Sequence, residues 1–182
     1  LVFVIGSTFL LNSQSVNKLK KDLLNSIEEK TLELTSLSDK IWEAAEVAFR
    51  EDKSAEYLIE YAEANGLTIE RGLAGMPTAF TASYGKGKPV IGIIGEFDAL
   101  PGLSQTTAPY RDELIQGGAG HGCGHNLFGT ASLGAAIAIK ELIEKGSIEG
   151  TVKFFGTPAE EKFFGKLWMI REGVFDDVDI CM

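Results

Sequence analysis

The sequence predicts a single α/β domain in which a mixed β-sheet is flanked by helices. Three observations support this fold class. The chain has 182 residues and a hydrophobic content of 45%, enough for one compact core of two or three layers. Short β-rich runs separated by Gly and Pro turns occupy the middle of the chain. The second half then alternates strand-like and helix-like segments, the order expected of a sheet covered by helices.

The first part of the chain has helical periodicity. Ser15 is a candidate N-cap, and apolar residues follow it at helical spacing towards Phe49, which predicts one long or kinked helix. A second helix is predicted from Ser54, as its N-cap, to Asn65, where Gly66 stops it. Two helical segments are therefore expected before the first strand.

Three β-rich runs follow these helices, at residues 67–71, 78–84 and 89–95. The turns between them are short enough to predict antiparallel neighbours in at least part of the sheet. The third run is apolar on both faces, which predicts a central position in the sheet.

The second half of the chain has the order strand, loop, helix, strand, helix, strand. A long segment rich in Gly, Pro, Ser and Thr, residues 96–124, leads to an apolar helix at residues 126–145. Loops this long inside a compact domain are usually functional or disordered. A strand at residues 151–155, a mostly helical segment at residues 157–172 and a terminal strand from Val178 complete the predicted order.

Composition and the chain ends exclude several classes of function. The net charge of −9 provides no basic stripe for phosphates, so nucleic acid is not an expected partner. Residues 1–14 form an apolar extension, interpreted as a cropped signal or upstream segment, which is shorter than the roughly 20 residues of a membrane span. No membrane partner is expected unless this extension is an export signal. Cys123 and Cys181 are predicted to be reduced thiols of a cytoplasmic protein, with export as the alternative.

Both histidines of the chain lie in residues 120–126, GHGCGHN. Residues two apart in an extended segment point to the same side, so His121, Cys123 and His125 are candidates to converge on one metal ion. Thiolate and imidazole bind borderline divalent metals well, and the dipole of the following helix is expected to lower the pKa of Cys123. His121 is interpreted as a third ligand, a supporting donor or a loop residue. The alternative hypothesis is a glycine loop with a partly buried Cys and a hydrogen-bonded His.

Two acidic clusters are further candidates. Glu160 and Glu161 leave an extended segment in opposite directions, so one can bind a metal while the other addresses its water. Thr157 and Glu160 also match a capping box, so helix capping is the alternative. Asp98 follows the third β-rich run and is a candidate to support a metal ligand from behind. An acid that closes a strand before a Pro turn is equally common.

Four motifs in this order, GEFDALPG, GHGCGHN, GTPAEE and REGVFDDVD, resemble the metallo-aminoacylase and carboxypeptidase superfamily of dimetal amidohydrolases. Within it, the chain looks like the aminobenzoyl-glutamate utilisation branch from about Ser38 to Met182. The resemblance implies a dimetal exopeptidase-like catalytic domain that is truncated. Residues 15–182 are then the N-terminal part of this domain, and the lid or dimerisation domain is absent.

The resemblance also assigns roles to individual residues. It implies three metal ligands, Cys123, His125 and Glu161, and one general base, Glu160. The residues with supporting roles are Asp98, His121 and Asn126. The implied cofactor is two divalent metal ions, with Mn²⁺ favoured and Zn²⁺ as the alternative.

The implied reaction is hydrolysis of an amide bond in a small N-acyl amino acid or aminobenzoyl-glutamate-like substrate, by a metal-activated water and a Glu general base. The full-length protein is implied to be a homodimer. The family's site uses two further histidines, and none follows His125 here, so this chain alone is expected to be inactive. Lys162, Phe163 and Phe164 are expected to narrow the site, because the family usually has small residues there. The alternative hypothesis is a truncated or degenerate relative that acts as a binding or interaction module.

Overall fold

The computed structural model describes the backbone of residues 2–182 and the side chains of residues 15–182. The interpretation of residues 1–14 as a signal or upstream segment concerns side chains outside this described part. The helices of the described backbone are α1 (Val2–Glu29), α2 (Thr31–Ala44), α3 (Asp52–Ala64), α4 (His125–Glu144), α5 (Glu160–Phe163) and α6 (Gly165–Arg171). The strands are β1 (Thr68–Arg71), β2 (Phe80–Lys86), β3 (Val90–Glu96), β4 (Gly150–Thr157) and β5 (Ile180–Cys181).

The sheet is mixed and has the strand order β1-β2-β4-β3-β5. Pairing is antiparallel from β1 to β2 and from β2 to β4, and parallel from β4 to β3 and from β3 to β5. This confirms the predicted mixed sheet with helices and the expected antiparallel neighbours. The middle strand is β4, however, and β3 lies between β4 and β5. This order follows because α4 returns the chain from β3 to a parallel position beside it.

The long helix predicted for the first part of the chain is interrupted at Lys30, which separates α1 from α2. The backbone of α1 runs through Ser15, so Ser15 is not an N-cap. The second helix ends at Ala44 and does not continue towards Phe49, because Ala45 adopts a left-handed conformation with φ 43°. The kinked form of the prediction is therefore the correct one.

The start of α3 is capped by a residue from outside the helix. α3 begins at Asp52, so the predicted cap, Ser54, lies inside it. The Glu46 carboxylate accepts hydrogen bonds from the backbone N–H and the hydroxyl of Ser54, both at 2.8 Å. Gly66, with φ 80°, follows the end of this helix at Ala64, in agreement with the predicted stop.

Two hydrophobic clusters cover the two faces of β4. Phe154 lies in the larger cluster with residues of α2, α3 and α4, whereas Phe155 lies in a smaller cluster with Met76, Ala79 and Met169. Adjacent residues of a strand point to opposite faces, so β4 is buried on both sides. A middle strand of an α/β sheet is expected to be covered in this way.

The helix α4 packs very closely on the end of β3. By length and composition alone it could cross a membrane, but 61% of its apolar stretch is buried inside the fold. A Cβ atom at Gly129 would lie only 2.6 Å from the backbone oxygen of Glu96, so only glycine permits this approach. The close packing places the first turn of α4, which begins at His125, beside the carboxyl end of β3.

Candidate metal centre

The three predicted metal ligands and the acids near them lie at one edge of the sheet. β3 and β4 run parallel, with Glu96 opposite Thr157 in the register. The loops that leave these two strands therefore start at the same edge, where the first turn of α4 also lies. Ligand sites of open α/β sheets gather beyond the carboxyl ends of the strands.

The structure brings the three predicted ligands together. Three potential ligand atoms, one in each of Cys123, His125 and Glu161, lie within 4.8 Å of one another. A second group with the same spacing contains Glu96, His125 and Glu160. The two groups share His125, so the acidic residues form one cluster around its ring. Which of these side chains bind a metal stays a prediction.

The residues present fit a divalent cation. Glu161 has a carboxylate oxygen, Oε1, that is buried and has no hydrogen-bond partner among the described residues. Leaving such an acceptor unpaired costs about 1–3 kcal/mol, which a bound cation would remove. Sulfur from Cys123, nitrogen from His125 and oxygen from Glu161 form a donor set that suits Zn²⁺ and also admits Mn²⁺.

Asp98 fixes the orientation of the His125 ring. His125 Nδ1 lies 3.0 Å from both the backbone oxygen and Oδ1 of Asp98. With the Nδ1 proton donated to Asp98, the other ring nitrogen, Nε2, faces the acidic cluster. Nε2 is 3.0 Å from Glu96 Oε2 and 3.9 Å from the nearest oxygens of Glu160 and Glu161. This is the orientation that a metal-binding imidazole requires.

The same Asp98 carboxylate holds a second segment of the site. Its Oδ2 accepts a hydrogen bond from the backbone N–H of Glu161 at 3.0 Å. Asp98 is 1% exposed, so solvent does not weaken these contacts. One buried carboxylate thus connects the ring of one predicted ligand to the backbone of another, which is the arrangement that its supporting role requires.

The acidic surroundings favour a proton on His125. Burial opposes the charged ring, but hydrogen bonds to Asp98 and Glu96 outweigh it and raise the pKa of His125 to about 10. Burial also acts to raise the pKa of Glu96, but its contacts with His125 and Lys166 outweigh that effect and lower this pKa. A proton and a metal cation therefore compete for Nε2 of His125.

The expected effect of the helix dipole on Cys123 is wrong. The pKa of Cys123 is raised, because its thiol faces the Glu161 carboxylate, which favours the protonated form. The charges of Glu160 and Asp98 act in the same direction. These carboxylates belong to segments far from Cys123 in the chain, so the sequence alone could not show their effect on its pKa.

His121 does not converge with the other two residues of the GHGCGHN loop. Its Nε2 lies 3.0 Å from the backbone oxygen of Ile41 in α2, and its Nδ1 is buried without a hydrogen-bond partner among the described residues. The loop is not extended, since the N–H of Gly124 donates back to the oxygen of His121. Burial lowers the pKa of His121. His121 therefore contacts α2 and not the predicted ligands.

Asn126 also contacts α2. Its side-chain amide donates a hydrogen bond to the Ser38 hydroxyl at 3.0 Å, and both residues are buried. This bond attaches the first turn of α4 to α2. A supporting role of Asn126 at the ligand cluster stays a prediction.

The capping-box alternative for Thr157 and Glu160 is wrong. Thr157 is the last residue of β4, and its hydroxyl donates to the backbone oxygen of Gly95 at 3.3 Å. Ala159, with φ 59°, separates it from α5, a helix of only four residues without a side-chain cap. Glu160 is therefore free of a capping role, and its side chain remains 38% exposed beside His125.

The two rings after Glu161 lie at the protein surface. Phe163 stacks on Phe49 with ring centroids 5.1 Å apart, and Phe164 is 64% exposed. The ligand atoms of Cys123, His125 and Glu161 still lie within 4.8 Å of one another. Whether the two rings narrow the approach to the site stays a prediction.

Three residues near the centre received no role from the sequence. Glu96 and Lys166 form an ion pair next to His125, and Glu51 is fully buried behind the Glu160 segment. Burial raises the pKa of Glu51, although backbone hydrogen bonds act to lower it. Glu96 could have been found as the first acid of GEFDALPG. Nothing in the sequence distinguishes Glu51 from a surface acid after a helix.

Residues 92–182 match the family described as Peptidase family M20/M25/M40. The chain is 47% identical over 159 residues to one of the subunits of p-aminobenzoyl-glutamate hydrolase from Escherichia coli (strain K12), and this match covers 87% of this chain and 33% of that protein. It is 30% identical over 174 residues to Xaa-Arg dipeptidase of Mus musculus, covering 89% of this chain and 37% of that protein. The chain therefore belongs to peptidase family M20/M25/M40 and spans about a third of the length of these curated relatives.

A solved structure supports the same placement. The YxeP protein of Bacillus subtilis, a dinuclear metal-binding peptidase of the M20 family, superposes with a TM-score of 0.67 at 26% identity. The match covers 81% of this chain and 41% of that protein. The resemblance based on the four motifs is thus confirmed, and so is the α/β fold class predicted from the strand and helix pattern.

Proposed function

We propose that this chain forms the N-terminal part of a metal-dependent amidohydrolase that cleaves an amide bond in an N-acyl amino acid. One observation carries the proposal. A solvent-accessible carboxylate, Glu160, lies beside a compact set of sulfur, nitrogen and oxygen donors that includes an unpaired buried oxygen of Glu161. The family membership supports hydrolysis as the reaction class.

In this proposal, Cys123, His125 and Glu161 hold a divalent cation, and Asp98 keeps Nε2 of His125 directed at it. A bound divalent cation would polarise the amide carbonyl and lower the pKa of water. Further ligands for a second cation would come from parts of the protein outside this chain. The family resemblance leads us to propose Mn²⁺. Zn²⁺ is the alternative, because the thiolate of Cys123 favours it.

Glu160 would move the proton. Its carboxylate accepts a proton from water as the water oxygen attacks the amide carbon, and returns it to the nitrogen as the carbon–nitrogen bond breaks. The products are a carboxylic acid and an amine. Glu160 suits this task because solvent reaches it and because its Oε2 is 3.9 Å from the ring of His125.

The substrate is proposed from the relatives. A p-aminobenzoyl-glutamate-like amide is the first candidate, because the relative with that activity in its name is 47% identical to this chain. A dipeptide with a C-terminal arginine is the second, from the relative that is 30% identical. We also propose a homodimer and a cytoplasmic location for the full-length protein. The exposed, unpaired thiols of Cys123 and Cys181 suit a reducing compartment.

The variant Glu160→Gln tests this mechanism in the full-length protein. Metal binding is expected to persist, because Glu160 is not among the three proposed ligands, while hydrolysis falls by about 10²–10⁴-fold. The matched control is Glu144→Gln, which neutralises an exposed carboxylate paired with Lys140 at the far end of α4. Metal content is measured by elemental analysis. Hydrolysis is assayed with p-aminobenzoyl-glutamate, an N-acetyl amino acid and a Xaa-Arg dipeptide.

Unchanged hydrolysis by Glu160→Gln would disprove the role of Glu160 as the base. A wild-type protein that binds metal but cleaves none of these amides would favour the alternative, a binding module. Gel filtration of the full-length protein checks the proposed dimer.

A further inference from the structure

We propose that Glu51 is a positioning residue for Glu160 and Glu161. It would act from residues 45–51, the connection between α2 and α3, which we call the brace. This inference rests on the proposed function, since it concerns the same site. The brace touches both loops that carry predicted site residues, the loop after β3 and the loop after β4.

Glu51 is a charged residue in an unusually enclosed place. It is 0% exposed, and Oε1 accepts a hydrogen bond from the backbone N–H of Ala159 at 2.9 Å. Its Oε2 accepts a hydrogen bond from the Thr78 hydroxyl at 3.2 Å. Burying a carboxylate is costly unless its oxygens are well hydrogen-bonded. The fold thus keeps a buried carboxylate hydrogen-bonded to Ala159, the residue directly before Glu160.

The residue held by Glu51 has a strained backbone. Ala159 has φ 59°, a left-handed conformation that is uncommon for residues other than glycine. Its N–H is fixed by Glu51, and its oxygen accepts from the N–H groups of Phe163 and Gly165, both at 3.2 Å. Strained residues of this kind persist only where their surroundings hold them, often at active sites. The turn at Ala159 sets the direction in which Glu160 and Glu161 leave β4.

Two other contacts of the brace reach the same loops. The N–H of Ala99, the residue after Asp98, donates to the backbone oxygen of Glu46 at 2.8 Å. The ring of Phe49 stacks on that of Phe163. The brace therefore fixes the loops of Asp98 and Glu160 relative to each other. Sites held by such supporting contacts keep their reacting groups aligned, and small misplacements are costly.

The test uses Glu51→Ala and Glu51→Gln in the full-length protein. Alanine removes the acceptor for the Ala159 N–H, whereas glutamine keeps a neutral and weaker one. We expect amide hydrogen exchange at Ala159 to accelerate at least about tenfold in Glu51→Ala, and affinity for Mn²⁺ or Zn²⁺ to fall by about 10–100-fold. We expect kcat to fall with little change in KM, because Glu51 is 0% exposed and a substrate cannot reach it. Glu51→Gln lies between the wild type and Glu51→Ala in each measurement.

The matched control is Glu141→Gln, which breaks a half-buried ion pair with Lys30. It lies 16 residues beyond His125 in α4, roughly 24 Å along the helix axis. This variant is expected to change stability but neither Ala159 exchange nor metal affinity. A general loss of stability would change Ala159 exchange and metal affinity alike in Glu51→Ala and Glu141→Gln. A positioning role of Glu51 changes them only in Glu51→Ala.

If Glu51→Ala does not fold, Ala159 exchange and metal affinity of Glu51→Gln are compared with those of the wild type, and this comparison tests the inference. Exchange at Ala159 and metal affinity that both equal those of the wild type in a folded Glu51 variant would overturn the inference. A wild-type protein without metal affinity would contradict the proposed function instead. Exchange at Ala159 alone would then still decide whether Glu51 holds this turn.

Discussion

Metal binding at Cys123, His125 and Glu161 is expected to tighten as the pH rises. A thiol and an imidazole bind a cation only after losing their protons. Although burial opposes the charged ring, Asp98 and Glu96 raise the pKa of His125 to about 10. The Glu161 carboxylate raises the pKa of Cys123 above the ordinary thiol value of 9.0. At neutral pH both groups therefore carry a proton that the cation displaces.

The size of this effect follows from the number of protons. Two displaced protons make the apparent association constant rise about hundredfold per pH unit, or about 2.7 kcal/mol at 1.36 kcal/mol per tenfold change. One proton gives only about tenfold. The contribution of His125 ends near its pKa of about 10, above which the ring is already neutral.

Isothermal titration calorimetry of the metal-free, full-length protein with Mn²⁺ and Zn²⁺ measures both the association constant and the number of protons released. Titrations between about pH 6.5 and 7.5 give the slope, and two buffers with different ionisation enthalpies give the number of protons released. Cys123→Ser is expected to bind more weakly and to release about one proton fewer. The matched control is Cys181→Ser, because the Cys181 thiol is also exposed but lies on β5.

An affinity that does not change with pH, with no proton released, would refute this reasoning. It would mean that the acidic cluster does not hold a proton on His125, or that the cation binds elsewhere. A change in Cys181→Ser equal to that in Cys123→Ser would likewise exclude the proposed thiolate ligand.

Two further predictions concern stability. The raised pKa of His125 stabilises the metal-free fold fully below its ordinary pKa of 6.5, and this contribution is lost as the pH rises through about 10. Urea unfolding is therefore expected to show a free energy of unfolding that falls by a few kcal/mol over this range, and a flat profile would contradict it. Gly129→Ala places a Cβ 2.6 Å from the Glu96 oxygen and is expected to cost about 1–3 kcal/mol. The control is Gly134→Ala, whose Cβ meets only the ends of flexible side chains, Leu34 at 3.0 Å and Ile27 at 3.6 Å. It should lower the melting temperature less, and equal effects of the two variants would disprove the close approach.

Much of the fold could be predicted from local pattern. The apolar run of β3 and the small, apolar residues of α4 indicated a buried strand and a closely packed helix, and both are present. The helix boundaries were less predictable. Ser15 and Ser54 have the right side chain for a cap, but α1 continues past the first and Glu46 caps α3 in place of the second. Strand order was also hidden, because the position of β4 depends on where α4 returns the chain.

The sequence by itself determined which residue types gather near the site. Cys123 and His125 lie two positions apart, and Glu160 and Glu161 are adjacent, so each pair is fixed by the chain. The tertiary structure decided which groups face one another. It turned His121 towards Ile41, placed Glu161 against Cys123 and buried Glu51 behind Ala159. The physical reason is that a pKa and a ligand geometry depend on distances through space between residues far apart in the chain, which only the packed fold defines.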